Sequence, residues 1–353
     1  HTVWGDGAFT HNPQVYPKPT YPAVATATLV LDCAKFVRLV PTGSLTVYAL
    51  EFQRDGEFVY AFWTARGELD ATLEFERDAT VKHTEMLGRA TTQKTSARQL
   101  KLRIAEAANY LTTPIALKSV AALGERTFPR ERLPAAAQLT TVSAMNRIAD
   151  WKLDRAVDPR IDVPAKPPIN STSFRRPGHY ELREVKDEQA GDCLELELLA
   201  DAACPALMQE YTFLRLAKPV ALPGTPATVA LRVKGNSSWG KVFWEIEDAE
   251  GERWLSAGTG GYGVDVYDWP EHAGLNFDGW NLLQFPITAR SPIDVQSPGQ
   301  NAFQWQHNGT GNRKIDYPIK LTAIAISMPH QAVNLIKMEP VKTSIRLGGL
   351  GAY

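Results

Sequence analysis

Only three cysteines, Cys33, Cys193 and Cys204, occur in 353 residues. That is too few for a disulfide-built scaffold, and none has the spacing of a metal-binding pair. A single Cys193–Cys204 bridge is left open by the sequence. Charge of one sign is also missing: 38 Lys and Arg against 39 Asp and Glu leave a net charge of −1. The basic footprint of a nucleic-acid or anionic-membrane binder is therefore lacking. No stretch approaches the roughly 18 apolar residues of a membrane span, and no secretory signal is visible. Gly-rich phosphate loops, HExxH and GxSxG are absent too, so nucleotide, zinc-peptidase and serine-hydrolase chemistries have no local support.

What the chain does have is tryptophan in one place. Six of its nine tryptophans fall between Trp239 and Trp305. The segment around them predicts strands over Lys241–Glu247, Glu252–Ser256 and Asn281–Ile287, the first two joined through Asp248-Ala249-Glu250-Gly251. Val242, Trp244 and Ile246 alternate with Phe243, Glu245 and Glu247, the period of a half-buried strand. Trp244 and Trp280 read as core, and Trp254 is undecided. Between the strands lies Ala257–Gly279, far longer than the usual connection of about 4–6 residues. It carries Tyr262, Tyr267, Trp269 and His272 beside Asp265, Asp268 and Glu271. An aromatic plate flanked by carboxylates and amides suits a sugar ring, which has an apolar CH face and a polar rim.

Two domains are expected from length. After an irregular lead-in, Tyr21-Pro22 opens a predicted helix over Ala23–Val37. Its apolar lines, Val24, Ala27, Leu31 and Ala34 with Val30, Cys33 and Val37, are wide enough to demand burial. From Leu45 the period is two. Short strands run through Tyr48–Phe52, Phe58–Thr64, Leu69–Phe75, Val81–Met86, Leu100–Ile104 and Asn109–Leu111, with Trp63 assigned to the core. Residues 112–136 read as a linker or an edge extension. A second unit begins near Leu139, with strands at 151–153, 179–185, 193–199, 207–216, 227–233, 318–327, 333–338 and 343–347 around the central stretch. About ten strands with long loops fit a jelly roll. The fold class is therefore all-β: a β-sandwich with one leading helix over 1–125, a linker over 126–138, and a jelly-roll sandwich over 139–353.

Two segments resemble known families. Residues 22–111, with YPAVATATLVLDCAKFV, SLTVYALEF and GEFVYAFWT, are similar to the end of a large glycoside hydrolase, where the last helix of a (β/α)8 barrel leads into a β-sandwich. Residues 139–353, with VALRVKGNSSWGKVFWEIEDAEGERW and FDGWNLLQFPI, resemble jelly-roll carbohydrate-binding modules of galactose-binding-like topology. The resemblance implies a secreted protein, extracellular or periplasmic, whose partners are a polysaccharide or oligosaccharide and an upstream catalytic barrel domain or chain. It also implies that catalysis resides in that barrel, not in this chain. A glycoside hydrolase or its subunit, and a structural or protein-interaction region, are the alternatives.

The candidate ligand-binding residues are Trp239, Tyr262, Asp265, Tyr267, Asp268, Trp269, His272 and Trp305. Hydrolysis would need a carboxyl pair, for which Glu245, Glu247, Asp265, Asp268 and Asp278 are available. The turn Asp187-Glu188-Gln189-Ala190-Gly191-Asp192 offers oxygens for a structural Ca2+, with Asp187 and Asp192 as ligands. A chain beginning at His1 reads as processed or excised. An N-terminal His invites a copper clamp with His11, His83 or His179, none of which stands in a context that supports it.

Overall fold

The hairpin at Asp55-Gly56 shows how the sequence builds the first unit. Both residues adopt positive φ, 51° and 81°, which a two-residue hairpin turn requires. They join Val47–Arg54 to Glu57–Thr64 in unbroken register from Val47↔Thr64 to Arg54↔Glu57. The computed structural model describes residues 17–122, 125–129, 139–158, 160–161, 175–200, 208–256, 274–287, 305–307, 311–312 and 314–353. The chain divides into two units, His1–Arg130 and Glu131–Tyr353.

Unit one is a sandwich of two antiparallel sheets. One runs in the order Lys35–Leu39, Val47–Arg54, Glu57–Thr64, Asn109–Thr113, Thr80–Glu85, Ala90–Lys94. The other has Arg126–Thr127, Glu68–Phe75 and Gln99–Ile104 side by side, with Leu117–Ala121 also on Glu68–Phe75. Alternate residues of both, including Tyr60, Phe62, Leu73, Phe75, Ile104 and Leu111, form one core. The stretch after Thr113 is thus an edge extension of the second sheet. Trp63 is not in that core: it is half-buried on the other face, stacked on Tyr48 with centroids 4.9 Å apart.

The helix is shorter than expected, Thr20–Leu31. Asp32 leaves helical geometry and Cys33 takes φ 56°, so the chain turns before Lys35–Leu39 pairs with Val47–Arg54. Val37 therefore belongs to a strand, where its β-branched side chain is better accommodated. Within this chain the helix is left largely uncovered. Thr26 is the one buried residue of the helix, while Leu29 is 75% and Tyr21 58% exposed.

Unit two is a second sandwich. Its front sheet runs Tyr180–Asp187, Gly191–Leu198, Ser344–Ala352, Thr228–Asn236, Asp278–Pro286, with Thr140–Ser143 added to the C-terminal strand. Its back sheet runs Trp151–Asp154, Gln209–Ala221, Lys320–Pro329, Lys241–Glu247, Arg253–Leu255, Gln306–His307. Arg175–Pro177 joins it in parallel with Gln209–Ala221. The predicted strand 333–338 is a hairpin instead, Gln331–Asn334 paired with Lys337–Pro340 across Leu335 at φ 56°.

Lys241–Glu247 is buried on both faces. Val242, Trp244 and Ile246 are fully enclosed, and Phe243 joins Tyr211, Phe213, Leu255 and Ile161 in a separate cluster on the opposite side. Trp244 packs near Phe285 at 6.0 Å between centroids. Emptying a core aromatic site costs about 3–5 kcal/mol. Trp244→Ala is accordingly expected to lower stability by about 3–5 kcal/mol in urea melts; a loss of under about 1 kcal/mol would contradict its place in the core.

Candidate binding face of the second unit

Strand alternation divides the front sheet cleanly. Leu194, Leu196, Leu198, Val229, Leu231, Val233, Leu283, Phe285, Ile345 and Leu347 are buried on the sandwich side. The intervening residues Glu195, Arg232, Lys234, Trp280 and Arg346 therefore occupy the other face. Lys234 lies opposite both Trp280 and Arg346 in the two ladders that flank it.

One carboxylate ties this face together. Asp187 ends its strand with a side chain only 1% exposed. Its Oδ2 accepts from Lys234 Nζ at 2.7 Å and Arg346 Nη1 at 2.6 Å. Its Oδ1 accepts from the Trp280 indole at 3.0 Å and from the backbone N–H groups of Gln189 and Ala190. Burial alone would raise its pKa. The bonds from Lys234, Gln189, Trp280 and Arg346 outweigh that and hold the carboxyl far below the usual carboxylate range.

Trp280 is positioned by this bond and by the absence of a side chain. A Cβ on Gly348 would stand 2.9 Å from both Cη2 and Cζ3 of the indole, so only glycine lets the ring lie there. The Arg232 guanidinium sits over the same ring, 4.9 Å from its centroid. Trp280, expected in the core from its place at a strand start, is half-buried and faces outward.

The turn proposed for calcium does not fit that ion. A calcium site gathers oxygen ligands, whereas Asp187 is surrounded by two cations and three N–H donors. Asp192 is exposed on the neighbouring strand, opposite Lys186. Among the described residues no cluster of His, Cys, Asp and Glu is grouped for a metal. Cys193 is a free, buried thiol, and Cys204 lies outside the described residues. His83 is bonded to Asn109 at 2.9 Å and His179 lies against Arg155.

The other sequence candidates separate in the same way. Tyr262, Asp265, Tyr267, Asp268, Trp269 and His272 lie outside the described residues. Trp305 is fully buried, donates to the Pro286 carbonyl at 2.9 Å and meets Phe285 edge-on. It is a core residue and cannot serve as a ligand platform. Trp254 is likewise enclosed and donates to Asp248. Trp239 is half-buried in the turn after Thr228–Asn236, at φ 60°. A bulky residue there is strained by about 1–2 kcal/mol. The turn is held by Trp239 N–H to Leu275 O, Gln209 to the Trp239 carbonyl, and Asn236 and Ser238 side chains to following N–H groups.

Glu245, a carboxylate considered for catalysis, is fully buried on the back sheet. Arg215 at 2.7 Å and Thr322 at 2.8 Å bond its Oε1, and Arg160 bonds its Oε2. Burial pushes its pKa up, but Arg160 and Arg215 more than reverse that. Glu247 pairs with Lys320 and Arg253. These are structural ions.

No protein-family model matches this chain, and no curated protein matches it. Among solved structures, it is similar to a family 11 carbohydrate-binding module from Clostridium thermocellum in complex with a β-1,3-1,4-mixed-linked tetrasaccharide. That similarity has 12% identity and TM-score 0.32, covering 61% of this chain and 94% of the other. A tandem family 22 module from Paenibacillus barcinonensis Xyn10C gives 10% identity and TM-score 0.26, covering 86% of each chain. Isomalto-dextranase from Arthrobacter globiformis T6, complexed with panose, gives 8% and 0.23, covering 87% of this chain and 36% of the enzyme. Likenesses at these scores assign no function here.

Two stability outcomes follow from the ion networks. Glu245→Gln is expected to cost about 3–5 kcal/mol, because it leaves Arg160 and Arg215 facing a neutral group; a neutral result would show that the network is not needed. Asp187 has a depressed folded pKa. Its contribution is therefore present above the unfolded value near 4 and is lost as pH falls from there toward the folded value. Asp187→Asn should destabilise by about 2–3 kcal/mol at pH 7, with the difference from wild type shrinking below about pH 4. A difference that stays constant or grows in acid would contradict the assignment.

Proposed function

We propose that this chain is a non-catalytic polysaccharide-binding region of a secreted glycan-degrading protein, with the second unit making the contact. One observation carries the reading: an outward-facing tryptophan, Trp280, lies over a glycine on a sandwich sheet, its N–H fixed by a buried carboxylate. The uncovered part of this half-buried ring offers apolar surface to a sugar, while Arg232, Lys234 and Arg346 beside it offer donors to hydroxyls and other oxygens. Tyr262, Asp265, Tyr267, Asp268, Trp269 and His272, which lie outside the described residues, and the strained Trp239 are further candidates on the sequence alone. Glu245 and Glu247 are committed to ion pairs, which favours binding without hydrolysis.

Unit one fits the role of a scaffold against an upstream catalytic barrel. The observation that favours this is its uncovered helix, with Tyr21, Val24 and Leu29 exposed beside Phe36 and Val37 of the edge strand. Because these side chains are exposed in this chain, Val24→Ser with Leu29→Ser should change stability by no more than about 0.5 kcal/mol per site. The same change should lower the fluorescence of an apolar dye; a strong loss of stability would show that the face is already covered.

Stacking one sugar removes apolar surface worth about 25 cal/mol per Å2, and association entropy consumes much of that. The expected affinity is therefore a Kd on the order of 10–1000 μM. Trp269→Ala and Trp280→Ala should each weaken glycan retention in affinity gels about tenfold or more, and no reducing ends should be released from polysaccharides. Turnover abolished by Asp268→Asn, or unchanged retention in both tryptophan variants, would overturn the reading.

A further inference from the structure

The charges at the Asp187 node are not evenly presented to solvent. Asp187, the carboxylate of the node, is 1% exposed, while Lys234 and Arg346 are 39% and 32% exposed. Glu195, the other acidic partner of Arg346, is 18% exposed. The acid side of the node is thus turned inward and the basic side outward. Arg232 adds a further cation. Its guanidinium contacts the Trp280 ring and, among the described residues, has no carboxylate or carbonyl acceptor.

That combination is unusual for a surface arginine. Elsewhere on this sheet arginines find acids: Arg183 reaches Glu181 and Glu197, and Arg346 reaches Glu195 and Asp187. Cation–π attraction holds Arg232 against the indole while its N–H groups remain available. A guanidinium so restrained has lost part of the freedom that binding would otherwise remove, and its planar fork matches a carboxylate in two parallel bonds. A neutral hydroxyl would use that fork less well. The part of the half-buried indole left uncovered by Gly348 and Arg232 meets the apolar edge of the sugar.

We propose that this face selects polysaccharides carrying uronate residues, the sugar carboxylate being received by Arg232 beside Trp280, with Lys234 and Arg346 supplying a positive surround. The inference rests on the carbohydrate-binding reading and narrows it to acidic glycans.

The test is affinity electrophoresis of the full chain through gels containing polygalacturonate, its fully methyl-esterified form, carrageenan, polyglutamate, or neutral mixed-linkage β-glucan. Esterification keeps the sugar backbone and removes the charge. Retention on polygalacturonate should exceed that on the ester by roughly tenfold, the scale of a charge-assisted hydrogen-bond pair. It should also exceed retention on carrageenan and polyglutamate. Arg232→Gln should lose roughly that tenfold with an unchanged melting temperature, since no ion pair is broken. Arg232→Lys, which keeps charge but not the fork, should fall between them; this variant decides the matter if Arg232→Gln is unstable. Equal retention on acid and ester, preference for carrageenan or polyglutamate, or indifference to both Arg232 variants would overturn the inference. Retention on β-glucan in those cases would leave the carbohydrate reading standing, whereas no retention on any gel would remove both.

Discussion

A carboxylate buried on the outward side of a β-sheet is stable only if positive charge and N–H donors surround it. Asp187 meets that condition with Lys234, Arg346, the Trp280 indole and two backbone N–H groups. These partners come from three strands and from the turn that follows Asp187 on its own strand, so the one group fixes side chains across most of the front sheet. Each partner gives up some freedom to reach it, and what remains outward is ordered: an indole lying over Gly348, a guanidinium over the indole, and basic groups at its border. The outward-facing indole and the structural anchor are here the two sides of the same set of contacts.

The back sheet uses the same chemistry to the opposite end. Glu245 is also buried and also paired, but its cations Arg160 and Arg215 are themselves tied to Asp158 and Asp154. Arg160 is only 4% exposed. Charge is consumed in a closed network lying beside Tyr211, Phe213 and Phe243. Each charge of that network faces an opposite one. The difference between the two faces is thus one of satisfaction, and Arg232 is the residue that makes it visible.

Much of the fold was legible because strands of half-buried sheets carry their period in single residues. Trp244 between Val242 and Ile246 identifies its face without further help, and Asp55-Gly56 identifies its hairpin. The site was not legible in the same way. Asp187 finds Lys234 47 residues away, Trp280 93 and Arg346 159, and no local pattern encodes such pairings. An acidic turn therefore resembled a calcium site when its partners were cations. Trp280 faces outward and Trp305 inward, against expectation, because the facing of each is set by contacts distant in sequence, Asp187 for the one and Pro286 and Phe285 for the other. The helix end at Leu31 was missed because the apolar spacing continues through Val37, while the left-handed Cys33 leaves no mark in composition.

Trp280 is locked to Asp187, and the proposal requires the same ring to meet a uronate ligand. The indole N–H resonances of the full-length chain, followed in a nitrogen-correlated NMR spectrum during titration with oligogalacturonate, test it directly. The Trp280 signal should be identified by its loss in Trp280→Phe, be slow to exchange with solvent, and shift progressively with ligand, while the core indoles of Trp244 and Trp254 stay in place. A Trp280 signal that exchanges quickly, or that remains still while the ligand binds, would contradict the account.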